Sequence, residues 1–254
     1  MTGHNETGCR KTFATLGTLA AIVGLLVALF AWLIPFSPVG PSPLIPEGIA
    51  TNTPLSPSII DEFTAPNLDS EWYWINEDPT HWSLASQSGW LQVTTQAGEI
   101  WQGDNINVRN VLLRKLSDSP SNLEIITKLA FTPTTDWQSA GLVIYNNDDN
   151  YVTLFHGYHT DFGGKSVRFQ SEENGIGQQV GIALSSLSPF IYLKIAKTGS
   201  SYTGYFSLDN STWTKVGERI NRMNSLSVGL ITNNGTDISQ EAKAAFDYFQ
   251  LIIK

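Results

Sequence analysis

Cysteine is nearly absent: the 254 residues contain one, Cys9. No disulfide framework can hold this chain together, so a folded part must rest on a buried apolar core. Basic residues are also scarce, 15 Lys and Arg against 23 Asp and Glu, for a net charge of −8. Two residues of each sign precede Asp61, so the segment from Asp61 onward holds 13 basic and 21 acidic residues and carries the whole net charge. Nucleic acid is excluded as an expected partner, because phosphate recognition needs the opposite sign. Catalytic signatures are missing too. No Glu-x-Asp-x-x-Glu tract is present to set two carboxylates on one strand face, the arrangement that glycosidic bond cleavage on a jelly roll requires. Glu172-Glu173 and Glu77-Asp78 read as solvated loop charges. Gly163-Gly164 and Gly175-Ile176-Gly177 have no strand-to-helix context and no Gly-Lys-Ser tract, so they read as loops. His156 and His159 have no Cys or third His close in sequence. The expectation is a protein that is not itself an enzyme.

Three stretches differ in composition. Residues 1–12 read as a short cytoplasmic tail. Residues 13–34 are 22 uncharged, largely apolar residues, long enough to cross a bilayer core of about 30 Å as a helix. Arg10 and Lys11 precede this run and no basic residue follows it before Arg109. The positive-inside rule then sets the N-terminus in the cytoplasm and the rest outside. The alternative is a cleaved signal peptide, but the apolar run exceeds the usual h-region. Residues 35–60 contain seven of the twelve prolines and read as a semi-extended linker. The expectation is a single-pass protein of the cell membrane, with a lipid bilayer around residues 13–34 and an extracytoplasmic domain at 61–254.

Past Asp61 the dominant period is two. Leu123 to Phe131, Ala140 to Tyr145, Tyr151 to His156, Phe190 to Ala196, Tyr202 to Leu208, Leu226 to Thr232 and Phe246 to Ile253 each read as strands. Asn146 to Asn150 and Lys197 to Ser200 are turn-forming clusters between them. Only Glu241 to Ala245 hints at helix. Many short strands without intervening helices predict an all-β sandwich of two antiparallel sheets.

Several tracts carry a family resemblance: Asp61-Glu62-Phe63; Leu68 with Trp72-Tyr73-Trp74; Asp78-Pro79-Thr80-His81-Trp82; Gly89-Trp90-Leu91; Asn110 to Arg114; Ala140 to Tyr145 with Tyr151; Tyr192 to Ile195; Ser207-Leu208-Asp209 with Trp213; and Ala245 to Phe249. In this order they resemble the concanavalin-A-like domain at the C-terminus of family 43 β-xylosidases, and related bacterial domains of uncharacterised function. The resemblance implies a concanavalin-A-like β-sandwich, or jelly roll. It also implies a structural Ca2+ joining the first and last strands, with Asp61 and Asp247 as its ligands. In those enzymes the domain closes one side of a catalytic propeller, which implies a separate glycosidase as a partner of this chain.

Aromatic rings with neighbouring hydrogen-bonding side chains are what sugar recognition uses, since rings stack on pyranose C–H faces while polar groups bind hydroxyls. Trp101, Arg114, Tyr151, His156 and Tyr158 are the candidates, on or next to strands expected to line one sheet face. Tyr145 and Trp82 are expected to be core. The expected function is a lectin-like module binding polysaccharide or cell-surface glycan. The alternative is an interaction or sensory domain that partners a glycoside hydrolase.

Overall fold

The computed structural model describes residues 58–102, 107–185, 188–236 and 240–254. The tail, the apolar run 13–34 and most of the linker lie outside these residues. Among the described residues no helix is long and apolar enough to cross a membrane.

Fifteen strands follow one another: β1 (Ser58–Asp61), β2 (Trp72–Ile75), β3 (Trp82–Ser83), β4 (Leu91–Thr94), β5 (Val111–Lys115), β6 (Asn122–Phe131), β7 (Ser139–Asn147), β8 (Asn150–His159), β9 (Gly164–Glu173), β10 (Ile176–Ala183), β11 (Ile191–Thr198), β12 (Ser201–Ser207), β13 (Thr214–Ile220), β14 (Ser227–Asn233) and β15 (Lys243–Ile253). One sheet has eight strands in the order β13-β12-β11-β6-β15-β4-β3, with β1 also on β15. The other has seven, in the order β10-β9-β8-β7-β14-β5-β2. All pairings between these strands are antiparallel.

Alternation sets the layers. In β6, Leu123, Ile125, Leu129 and Phe131 are buried while Glu124, Ile126, Lys128 and Ala130 face outward. The buried set meets Leu142, Leu154, Phe169, Leu193, Phe246 and Phe249 between the sheets. At roughly 2 kcal/mol for each fully buried large apolar side chain, this layer is the main source of stability. The seven-stranded sheet is covered on its other face as well. There Ile100 and Val108 pack on Val111, Leu113, Val143, Tyr151, Phe155 and Ile231 in a second buried cluster. This double cover is why β14 is buried along its whole length and shows no alternation.

All seven expected strands form. Three differences are informative. β1 begins at Ser58, inside the stretch assigned to the linker, because Ile59 packs on the core and pairs with Leu251. The helix hinted at Glu241 to Ala245 does not form; Lys243 onward enters β15 against β4. Of the glycine-bearing stretches read as loops, Gly164 opens β9 and Ile176-Gly177 open β10, the two strands being joined by the two-residue turn Asn174-Gly175, whose φ values are 54° and 75°. Positive φ at both positions is the type I′ hairpin geometry that Asn-Gly favours.

Candidate functional site

The face of the seven-stranded sheet turned away from the main core holds a polar row. β8 and β9 pair Tyr151 with Glu172, Thr153 with Gln170, and Phe155 with Arg168, so these six side chains share one face. The Tyr151 hydroxyl donates to Glu172 Oε2 at 3.0 Å, and the Gln102 backbone N–H donates to the same oxygen at 2.8 Å. Thr153 donates to Gln170 Oε1 at 3.3 Å, and Gln170 Nε2 donates to Gln179 of β10 at 3.4 Å.

Arg168 lies at the centre with 4% of its surface exposed. Its Nη2 donates to Ser139 Oγ at 3.2 Å, while Nε and Nη1 have no partner. The guanidinium sits 5.5 Å from the Phe155 ring centre and 5.6 Å from that of Trp137. Burial lowers its pKa to about 10, so it remains charged at neutral pH. Burial also raises the pKa of Glu172 and of Tyr151.

Two tryptophans form the rim. Trp101 packs on β10, where a Cβ at Gly177 would come within 2.5 Å of the indole, so only glycine admits the ring there. Trp137 is 40% exposed and has φ of 71°, a backbone strain of the kind that collects at functional positions. Its ring meets His159 edge-on at 4.1 Å. His159 Nδ1 accepts from the Asp161 N–H, which leaves Nε2 as a second buried donor without a partner. Between the rim residues, Arg168, Gln170, Gln179 and Asn233 line a space of about 20 Å³, room for one water or one hydroxyl.

Of the residues singled out from the sequence, this site brings together Trp101 and Tyr151. The expectation that Arg114, His156 and Tyr158 share their face is corrected. His156 and Tyr158 fall on the even-numbered side of β8, opposite Tyr151. His156 is 8% exposed, is bonded to the Ser166 carbonyl at 3.2 Å, and meets Phe131 edge-on. Tyr158 rests over Gly164. Arg114 pairs with Trp72 and Val228, on the side of the main core, and lines an open groove with Asp61 and Asp69. Burial lowers the pKa of His156 from 6.5 to about 4. The unfolded chain therefore takes up a proton first as pH falls, and up to about 3 kcal/mol of stability is lost between pH 6.5 and 4. Urea midpoints should fall over that window, and His156→Gln should flatten the slope.

The calcium implied for Asp61 and Asp247 does not fit their surroundings. Asp61 pairs with the buried Phe249 and accepts hydrogen bonds from Phe63 N at 2.9 Å and Trp72 Nε1 at 2.7 Å. Asp247 sits at a β-bulge, faces the outside and holds Lys128 at 2.7 Å. Opposite faces of one sheet cannot supply one ion with the six to eight oxygens it wants. No group of three metal-ligating side chains occurs among the described residues. A chelator is expected to leave the melting temperature unchanged by calorimetry.

Arg168, Gln170, Glu172, Gln179 and Trp137 were not foreseen. Glu172, read as a solvated loop charge, is fully buried. The alternation Val167-Arg168-Phe169-Gln170-Ser171-Glu172 was the signal for a strand with one polar face.

Residues 60–251 match the family described as the beta xylosidase C-terminal concanavalin A-like domain. The chain belongs to this family. Among solved structures, a family 43 glycoside hydrolase protein of Bacillus licheniformis is similar at 21% identity and TM-score 0.68, over 77% of this chain and 39% of that one. The xylan beta-1,4-xylosidase of Bacillus halodurans is similar at 23% identity and TM-score 0.63, over 76% and 38%. A functionally unknown protein from Saccharomyces cerevisiae is similar at 12% identity and TM-score 0.55, over 73% of this chain and 97% of that one. These likenesses establish the fold. Among curated protein sequences none matches. The chain spans about two-fifths of the two bacterial proteins. In the family 43 enzymes the C-terminal concanavalin-A-like domain is the non-catalytic part.

Proposed function

We propose that this β-xylosidase C-terminal-type domain is a non-catalytic carbohydrate-binding module, receiving a hydroxyl from the end or a branch of an uncharged glycan at the Arg168 pocket. The observation that carries the reading is the buried guanidinium with two unpartnered nitrogens, clamped between aromatic rings and opening between two rim tryptophans. Unpartnered buried donors are costly, and a ligand hydroxyl that accepts from them offsets that cost. Glu99, whose charge acts on Arg168, and Glu172 nearby supply negative charge. Carboxamides of Gln170, Gln179 and Asn233 both donate and accept. This mixture suits hydroxyls better than carboxylates. The apolar run 13–34 supports an anchor in the cell membrane, with the domain outside on its proline-rich linker.

A second reading, docking to a separate glycoside hydrolase, is supported by the likeness to a domain that belongs to longer enzymes. Calorimetric titration of the full chain with neutral oligosaccharides, xylo-oligosaccharides among them, tests the first reading. Saturable binding that Arg168→Leu and Trp101→Ala both abolish supports it. Folded protein that binds none of them, or binds equally well in both variants, overturns it in favour of the second.

A further inference from the structure

We infer a second glycan surface on the other sheet: its outer face is a platform on which an uncharged polysaccharide chain lies across the strands. The inference stands on its own observations and does not need the Arg168 pocket. Register lines up one row of side chains perpendicular to the strands. Tyr248 of β15 is opposite Lys128 of β6, Lys128 is opposite Tyr192 of β11, and Tyr192 is opposite Ser207 of β12. Leu91 pairs with Phe246 and Thr214 with Phe206. Trp90 and Trp213, one residue before each, therefore extend the row at its two ends. From β4 to β13 the row crosses five strand spacings, roughly 24 Å, long enough for a short oligosaccharide stretch. Alternation sends Tyr248, Lys128 and Tyr192 outward, because Leu129, Leu193, Phe206 and Phe249 beside them are buried in the core, while Ser207 is covered and its hydroxyl is held by Asp209.

Ammonium groups brace the rings. Lys128 Nζ lies 5.1 Å from the Trp90 ring centre and 4.6 Å from that of Phe190, and it holds Asp247. Lys194 Nζ lies 5.0 Å from Tyr205 and 4.4 Å from Trp213. Trp90 and Phe190 are stacked 5.9 Å apart. Tyr192 and Tyr248 stand two strand spacings apart, about 10 Å, close to the length of a disaccharide unit in an extended chain.

The composition of this face selects its occupant. Interface cores between proteins are depleted in lysine, whereas Lys128 stands at the centre of this row and Lys194 beside it. A second copy laid on the face would bring these lysines against each other. A polyanion meets a protein of net charge −8 and is repelled over distance. An uncharged chain offers C–H faces to the rings and hydroxyls to the lysine and tyrosine donors.

The test is retention of the full chain on insoluble unsubstituted xylan and on cellulose. Wild-type protein is expected to be retained, and the double variant Trp90→Ala, Trp213→Ala is expected to bind at least about tenfold more weakly, a difference of about 1.4 kcal/mol. Trp213→Phe, which keeps an aromatic ring, is expected to hold most of the binding, and circular dichroism verifies that each variant is folded. Retention of the folded double variant within twofold of wild type overturns the inference. So does failure of wild type to bind either polymer, stronger binding to an acidic polysaccharide, or a wild-type dimer in sedimentation that Trp213→Ala dissociates.

Discussion

Replacing Gly141 by alanine is expected to prevent folding. Gly141 lies in β7, paired with Phe155 of β8 on one side and Ile231 of β14 on the other. A Cβ there would stand 2.0 Å from the Leu154 carbonyl oxygen, 2.9 Å from its carbon and 3.0 Å from Phe155 Cα. These are backbone atoms of the neighbouring strand, so no rotamer change relieves the overlap. β7 and β8 would have to separate and give up ladder hydrogen bonds in the middle of the sheet. Overpacking of a core by one methyl group ordinarily costs about 1–3 kcal/mol. A clash with main chain on this scale belongs with the exceptional substitutions above about 4–5 kcal/mol, against a total stability of about 5–15 kcal/mol. Gly229 in β14 meets the same limit, with a Cβ 1.9 Å from the Leu112 carbonyl oxygen. Gly199→Ala is the comparison. A Cβ there meets nothing, and only its φ of 58° opposes alanine, so its cost should be about 1 kcal/mol. Soluble yield and thermal melts of the two variants decide the matter: a Gly141→Ala protein melting close to wild type would refute the close strand approach.

The strands with one dry face were legible, because alternation in segments such as Leu123 to Phe131 is a local property of the chain. β9 and β10 were hidden by their glycines, although Asn174-Gly175 is a strong hairpin signal. The glycines of β10 are there for a tertiary reason, since Gly177 seats Trp101 and a Cβ at Gly181 would come within 2.6 Å of the Phe162 ring. No local pattern shows which ring will arrive from elsewhere.

The site divides in the same way. Trp101 and Tyr151 stood out as aromatic residues near strands, but Arg168, Gln170 and Glu172 carry side chains that belong in water unless a second layer covers them. That layer comes from Ile100 and Val108, more than fifty residues away in sequence. His156 and Arg114 were drawn to the wrong face because parity along a strand cannot be fixed until its register is known. The bulge at Phe246 and Tyr248 does the same to Asp247, turning it outward while Asp61 stays in.

Arg168→Leu is expected to leave the protein as stable as wild type or more so, and to remove glycan binding. A buried charge loses its hydration and recovers that loss only through partners. Here the partners are one serine hydroxyl, two aromatic faces and the charge of Glu99, each face worth about 0.5–2 kcal/mol. Two nitrogens have no hydrogen-bond partner inside the protein. Leucine would fill part of the same space against Phe155 and Trp137 without a charge to desolvate, and such replacements of buried ionic groups range from neutral to about 1–4 kcal/mol stabilising. With roughly 2–4 °C of melting temperature per kcal/mol for a domain of this size, calorimetry resolves the change. Arg168→Lys makes the complementary case. It keeps the charge but concentrates it on an ammonium that is more strongly hydrated than guanidinium, so it should melt lower than wild type. If Arg168→Leu instead melts many degrees below wild type, the guanidinium is a structural strut and its unpartnered nitrogens are not waiting for a ligand. If it melts higher and still binds oligosaccharide, the pocket is not where the sugar goes. Gain of stability together with loss of binding is the pattern of a residue kept for a ligand at the expense of the fold.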